Sequence, residues 1–171
     1  MRVLHRRFII RLLKIEDAEK ASKLSRRILR SIREECGEEE YPERAIRHES
    51  ELHNPDYYRV VSRSIGGVSL VAEHGRKLVG IALGRIHGRS GIAHLSWIGV
   101  DPDYRELGVG EALLLSFIDY VRSKGCHKVA LYTLPCLKKA IKLYLKHGFL
   151  PECLLRRHWW GVDFLMFTLY L

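Results

Sequence analysis

The segment that most constrains this chain is Arg105-Glu106-Leu107-Gly108-Val109-Gly110, set between an apolar run, Gly91 to Val100, and an amphipathic one. Leu113, Leu114, Phe117, Ile118 and Val121 recur at helical spacing after it, and Gly125 marks the end, so the spacing predicts a helix over 111–124. A strand must therefore turn into a helix through two glycines one residue apart. The first N–H groups of a helix have no partner within it and carry the positive end of its dipole. Glycines there keep side chains out of the way, so the physics predicts a cradle for phosphate or pyrophosphate, to which Arg105 can add a fixed charge.

The rest of the chain supplies a setting for such a unit. Phe8 to Leu13 reads as a strand, and Ala18, Ala21, Leu24, Ile28 and Ile32 as the buried stripe of a helix from Asp17 onward. Gly37 and Pro42 bracket an acidic break, and a second helix is predicted from Glu43 to His53, stopped by Asn54-Pro55. Val68 to Glu73 and Leu78 to Arg89 form a hairpin through His74-Gly75-Arg76-Lys77. After the 111–124 helix come a short strand (Lys128 to Leu134), a helix (Leu137 to Gly148), and strands over Phe149 to Leu155 and Val162 to Leu171. The expected fold class is α/β (α+β), a mixed central sheet of about six to seven strands with helices on both faces, in one domain over 1–171.

Composition narrows the partners. The balance of 29 basic to 20 acidic residues gives a net charge of +9, which favours an anionic ligand. Much of the excess sits at Lys20, Lys23, Arg26, Arg27, Arg30 and Arg33 on the 17–33 helix, where a solvated face is the better reading. No aromatics interleave with those charges, which counts against a nucleic-acid module. No apolar run reaches the roughly 20 residues that span a bilayer. The charged start MRVLHRRFIIRLLK does not resemble a signal peptide. Cys36, Cys126, Cys136 and Cys153 form no Cys-x-x-Cys pair, so a reduced, cytoplasmic compartment and no metal site are expected.

Three contexts compete for the glycine turn. A dinucleotide fingerprint needs a third glycine where Leu113 stands, and a Walker loop needs Gly-Lys-Ser/Thr, which is missing. The third is Arg/Gln-x-x-Gly-x-Gly between strand and helix, which the chain matches residue for residue. The run Trp97 to Arg105 resembles the same family's approach to the loop, and Ala140 to Phe149 resembles its second motif, Ala-x-x-x-Tyr-x-x-x-Gly-Phe. On these residues the chain resembles the GNAT superfamily of acyl-coenzyme A-dependent N-acyltransferases, over nearly its whole length. The resemblance implies acetyl-coenzyme A as co-substrate, with pantetheine along the backbone of Ile98 and Val100. It also implies a pyrophosphate held by the loop of Arg105, Glu106, Leu107, Gly108, Val109 and Gly110.

The resemblance also assigns chemistry. Relatives that acetylate N-termini carry a base at the position of His94, and some place a second at Tyr132. Tyr144 stands where the family protonates or hydrogen-bonds the departing thiolate. Leu137 departs from the family's usual asparagine. Arg157 to Met166, with Trp159 and Trp160, resembles the aromatic-pair ending of N-terminal and ribosomal-protein acetyltransferases, in which the pair covers the peptide groove. Glu40 and Tyr41, with Glu38 and Glu39, are expected to form the opposite wall. At pH 7 a lysine amine lies ~3.4 units below its pKa, about 4.6 kcal/mol from its neutral form, and an α-amine only about 1 kcal/mol. The sequence therefore favours a peptide or protein N-terminus as acceptor. A small amine such as a polyamine or aminoglycoside, a non-catalytic acyl-coenzyme A sensor and a homodimer stay open.

Overall fold

The computed structural model describes residues 8–171 in full, together with the backbone of a short strand, β1 (Arg2–Leu4). Met1 and residues 5–7, part of the stretch weighed above as a leader, lie outside the described residues. The further strands are β2 (Ile9–Leu12), β3 (Gly67–His74), β4 (Lys77–Ile86), β5 (Ile92–Val100), β6 (Lys128–Thr133), β7 (Leu150–Leu155) and β8 (Phe164–Tyr170). They make one sheet in the order β1-β2-β3-β4-β5-β6-β8-β7. The seven expected strands are present, and β1 adds an eighth at the edge. Every neighbouring pair is antiparallel except β5 and β6. A parallel pair needs a crossover, and α4 (Val109–Ser123) supplies it.

Helices cover both faces. On one, Leu113, Leu114, Phe117 and Val121 of α4 are fully buried with Val79, Leu95 and Val129 of the sheet. Each such side chain contributes roughly 1.5–3 kcal/mol, which fixes α4 and the loop leading into it. On the other face Ala18, Ala21, Leu24 and Ile28 of α1 (Ala18–Glu40) pack on Val71, Ile81 and Leu83. Gly99 seats α1 there, since a Cβ on it would stand 2.8 Å from Ile28 Cγ2. At Gly37 the backbone leaves helical geometry (φ 76°, ψ 175°), as the acidic break anticipated.

Two expectations are corrected. Asn54-Pro55 ends α2 (Glu43–Leu52) but also starts a further helix, α3 (Pro55–Val61). The Asn54 side-chain oxygen accepts the Tyr57 N–H at 2.9 Å, and Pro55 occupies the first turn, where its missing N–H costs nothing. Cys36 and Cys136, 100 residues apart, are disulfide-bonded, contrary to the expectation of four reduced thiols. Cys126 and Cys153 are free. No described helix is long and apolar enough to cross a membrane.

The sheet opens at one point. Pairing of β5 with β6 runs from Ile92–Lys128 to Leu95–Leu131 and stops, while β5 continues to Val100. There Leu83 pairs with Trp97 and Gly84 with Leu95, so Ser96 is a bulge residue. A bulge sharpens the local twist, which turns the end of β5 away from β6. Residues 96–100 are left with backbone groups that no strand of β6 uses.

Candidate active site

A cavity of about 450 Å³ occupies the opening between β5 and β6. It is lined by His94 and Ile98 of β5, Tyr132 of β6, Leu134, Ala140 and Tyr144, together with Tyr41, Glu49, Trp159 and Trp160.

The glycine turn begins where β5 ends. Pro102–Tyr104 forms a single 3-10 turn, and α4 opens at Val109, two residues earlier than the sequence predicts. Its first bond runs from the Ala112 N–H to the Gly108 carbonyl at 3.0 Å, so the amides of Val109, Gly110 and Glu111 have no partner in the helix. Glu106 (φ 63°) and Gly108 (φ 80°) both adopt left-handed geometry, turning the chain sharply into the helix. A Cβ on Gly108 would meet no protein atom within 4 Å, so the space beside this turn is clear. Gly110 differs: its Cβ would make an ordinary contact with Val100 Cγ2 at 3.4 Å.

Electrostatics keep this end receptive to an anion. The carboxylates beside the loop are both engaged by α5 (Lys138–Lys146) and the residue after it. Glu106 accepts from Lys139 Nζ at 2.6 Å; Glu111 accepts from Lys146 Nζ at 2.7 Å and lies 2.8 Å from His147 Nε2. These bonds hold both carboxyls below the usual carboxylate range. Arg105 turns toward α1, donating to Ser31 Oγ at 2.5 Å with Glu35 at 3.9 Å. In this state it ties the loop to α1 and does not reach across the amides. Glycine conformation, clear space and free N–H groups fit a bound pyrophosphate.

His94 sits on β5 just before the bulge. Its ring meets Tyr132 edge-on at 5.2 Å, and Nε2 is buried with no hydrogen-bond partner among the described residues. Burial, and secondarily the charge of His87, lowers its pKa below the ordinary histidine value. Tyr132 in turn meets Trp159 edge-on at 5.3 Å. Tyr144 is buried between Phe149 and Phe167, and burial pushes its phenol well above the ordinary tyrosine range. Leu137 precedes α5 and lines the cavity, adding an apolar surface where the family's motif carries an amide.

The outer walls differ in part from expectation. Trp159 and Trp160 form a tight turn between β7 and β8, with Trp160 at φ 57°. Arg44 of α2 donates to the Trp160 carbonyl through Nε (3.2 Å) and Nη2 (2.5 Å), and His48 stacks on Trp160 at 5.8 Å. Tyr41 is buried and lines the cavity. Glu40 is exposed and does not line it, and Glu38 is occupied by Arg33 and by the Glu43 N–H. The cavity's carboxylate is Glu49 of α2, which the sequence reading missed. Only its four-residue spacing from His53, which caps the end of α2 one turn further on, could have pointed to it.

The acetyltransferase (GNAT) family matches residues 26–149. The chain belongs to that family. Among curated proteins, the glucosamine 6-phosphate N-acetyltransferase of Trypanosoma brucei brucei is 39% identical over 62 residues, 36% of this chain. Human N-alpha-acetyltransferase 30 is 27% identical over 148 residues, 75% of this chain. The matches span only 40% and 41% of those proteins. Among solved structures, the PaiA N-acetyltransferase of Thermoplasma acidophilum, in complex with coenzyme A, superposes with a TM-score of 0.79 at 26% identity, over 96% of this chain and 99% of that one. The names of these GNAT relatives agree on N-acetyl transfer, and those of the two curated proteins differ in the acceptor.

Proposed function

We propose that this chain is an acetyl-coenzyme A-dependent N-acetyltransferase whose acceptor is the free N-terminal amine of a peptide or protein. The observation that carries the reading is the orphaned, buried Nε2 of His94, a residue that lines the cavity. A buried nitrogen without a partner is rare enough to need a reason, and a neutral imidazole facing a reaction cavity is suited to accept a proton from an ammonium.

Acetyl-coenzyme A, when bound, supplies an activated acyl thioester. The amides of residues 107–110 would hold its pyrophosphate, and the unpaired edge of residues 96–100 its pantetheine arm. The chain's own task is to deliver a neutral amine. An N-terminal amine loses its proton at a cost of about 1 kcal/mol at pH 7, within the reach of His94, with Tyr132 beside it to orient the ring. The Tyr144 hydroxyl keeps its proton far above neutrality and so can donate it to a departing thiolate. Trp159 and Trp160, clamped by Arg44, cover the acceptor end opposite Tyr41.

Thiol release from acetyl-coenzyme A tests this reading with one peptide bearing a free N-terminus, the same peptide blocked at its N-terminus but retaining a lysine, and a polyamine. Release with the first alone supports it. Equal release with the blocked peptide, or with the polyamine only, overturns the N-terminal acceptor.

A further inference from the structure

Although the chain carries a net charge of +9, among the described residues no lysine or arginine lines the cavity, and one carboxylate does, that of Glu49. Its surroundings are aromatic: Tyr41, Tyr57, Trp97, Trp159 and Trp160 line the same space. Glu49 is also held in place. His53 Nε2 faces its Oε2 at 3.3 Å, and Nδ1 of the same ring lies 2.8 Å from the Tyr58 hydroxyl, which is hydrogen-bonded to Ser25 of α1. Trp97 stacks on His53 at 4.6 Å. The Glu49 side chain is 18% exposed, and its charge adds to burial in raising the pKa of Tyr41 and Tyr57. A fixed, largely desolvated negative charge among aromatic faces is the chemistry that receives a cation.

We infer that Glu49 selects acceptors carrying a second positive charge close to the reacting amine. This rests on the acetyltransfer reading and deepens it. The reacting amine must be neutral when it attacks, so it cannot be the lasting partner of Glu49. The carboxylate is matched by another cation of the same acceptor, such as a basic side chain within the first residues of a peptide. His53, Tyr58 and Ser25 are positioning residues that aim the carboxylate. An acidic side chain at the same place would meet an unscreened like charge, so the site also rejects.

The test is a ratio measured within each protein, which does not depend on the folded fraction. Peptides identical except for lysine or norleucine at the second residue are compared by kcat/KM in thiol release, alongside 1,5-diaminopentane against pentylamine. The native chain is expected to favour the dication of at least one pair by about tenfold or more, mostly through KM. Glu49→Gln should compress that ratio towards one, and Glu49→Asp should keep part of it. A native ratio near one in both pairs overturns the inference, as does a ratio that Glu49→Gln leaves intact. Discrimination in the amine pair with no turnover of either peptide would sink the N-terminal acceptor and leave the role of Glu49 standing. If no amine is turned over, displacement of 1,5-diaminopentane from the coenzyme A complex decides: equal affinity for native and Glu49→Gln protein overturns it.

Discussion

The two halves of the candidate site, the glycine turn after β5 and the cavity between β5 and β6, are built in opposite ways. The cofactor end is consecutive backbone: six residues, two of them in left-handed geometry, and the bare amides that follow. The acceptor end is side chains drawn from α2, β5, β6 and the β7–β8 turn, brought together only by the sheet order. Backbone geometry that depends on a few adjacent residues tolerates little change and leaves a compact signature. A wall assembled from distant side chains can vary piece by piece, which accords with relatives whose names agree on acetyl transfer and differ in the acceptor.

Substitutions at the two ends should therefore separate cofactor affinity from acceptor handling. The largest effect is expected for His94→Gln, which should lower kcat by about 10²–10⁴-fold. Because burial depresses the His94 pKa, the imidazole stays neutral to lower pH than usual. The acidic limb of kcat should then fall below about pH 6.5 in the native protein and vanish in the variant. An unchanged limb would remove His94 from the chemistry. Cys36→Ser, which frees α1 from the segment between β6 and α5, should destabilise the fold by about 2–5 kcal/mol in denaturant titration. A shift no larger than that of Cys126→Ser would mean the link adds nothing.

Smaller effects sharpen the division. Tyr144→Phe keeps the ring packing on Phe149 and Phe167 and should slow kcat about tenfold with coenzyme A affinity unchanged. A parallel loss of affinity would make Tyr144 a structural element of the cofactor end. Arg44→Ala releases the Trp160 carbonyl and should raise the acceptor KM about three- to tenfold, more than it lowers kcat, with no change at the cofactor end.

The same contrast explains what was legible in the sequence. Hydrophobic period located α1, α4 and α5, and apolar runs all strands but β1, most of which bury a regular face; β7 is exposed along nearly its whole length. Arg105 to Gly110 was legible because its meaning is local. Asn54-Pro55 misled because the pair that stops one helix also caps the next, and only the Tyr57 N–H bond reveals the second role. Glu38 to Glu40 looked like the acidic wall because they are clustered, yet local partners and solvent occupy them, while a single glutamate in an ordinary helix reaches the cavity. The pairing of Cys36 with Cys136 depends on α1 meeting the end of β6, a contact that spacing does not encode.

The amide cradle is tested most directly by comparing coenzyme A with pantetheine, which lacks the pyrophosphate, on native protein and on Gly108→Val. A valine there must adopt left-handed geometry, which strains the turn, and places its methyls in the open space beside it. Native protein should bind coenzyme A on the order of 100-fold more tightly than pantetheine, and the variant should lose that advantage while keeping its affinity for pantetheine. An advantage that survives the substitution, or an equal loss for both ligands, would contradict the cradle.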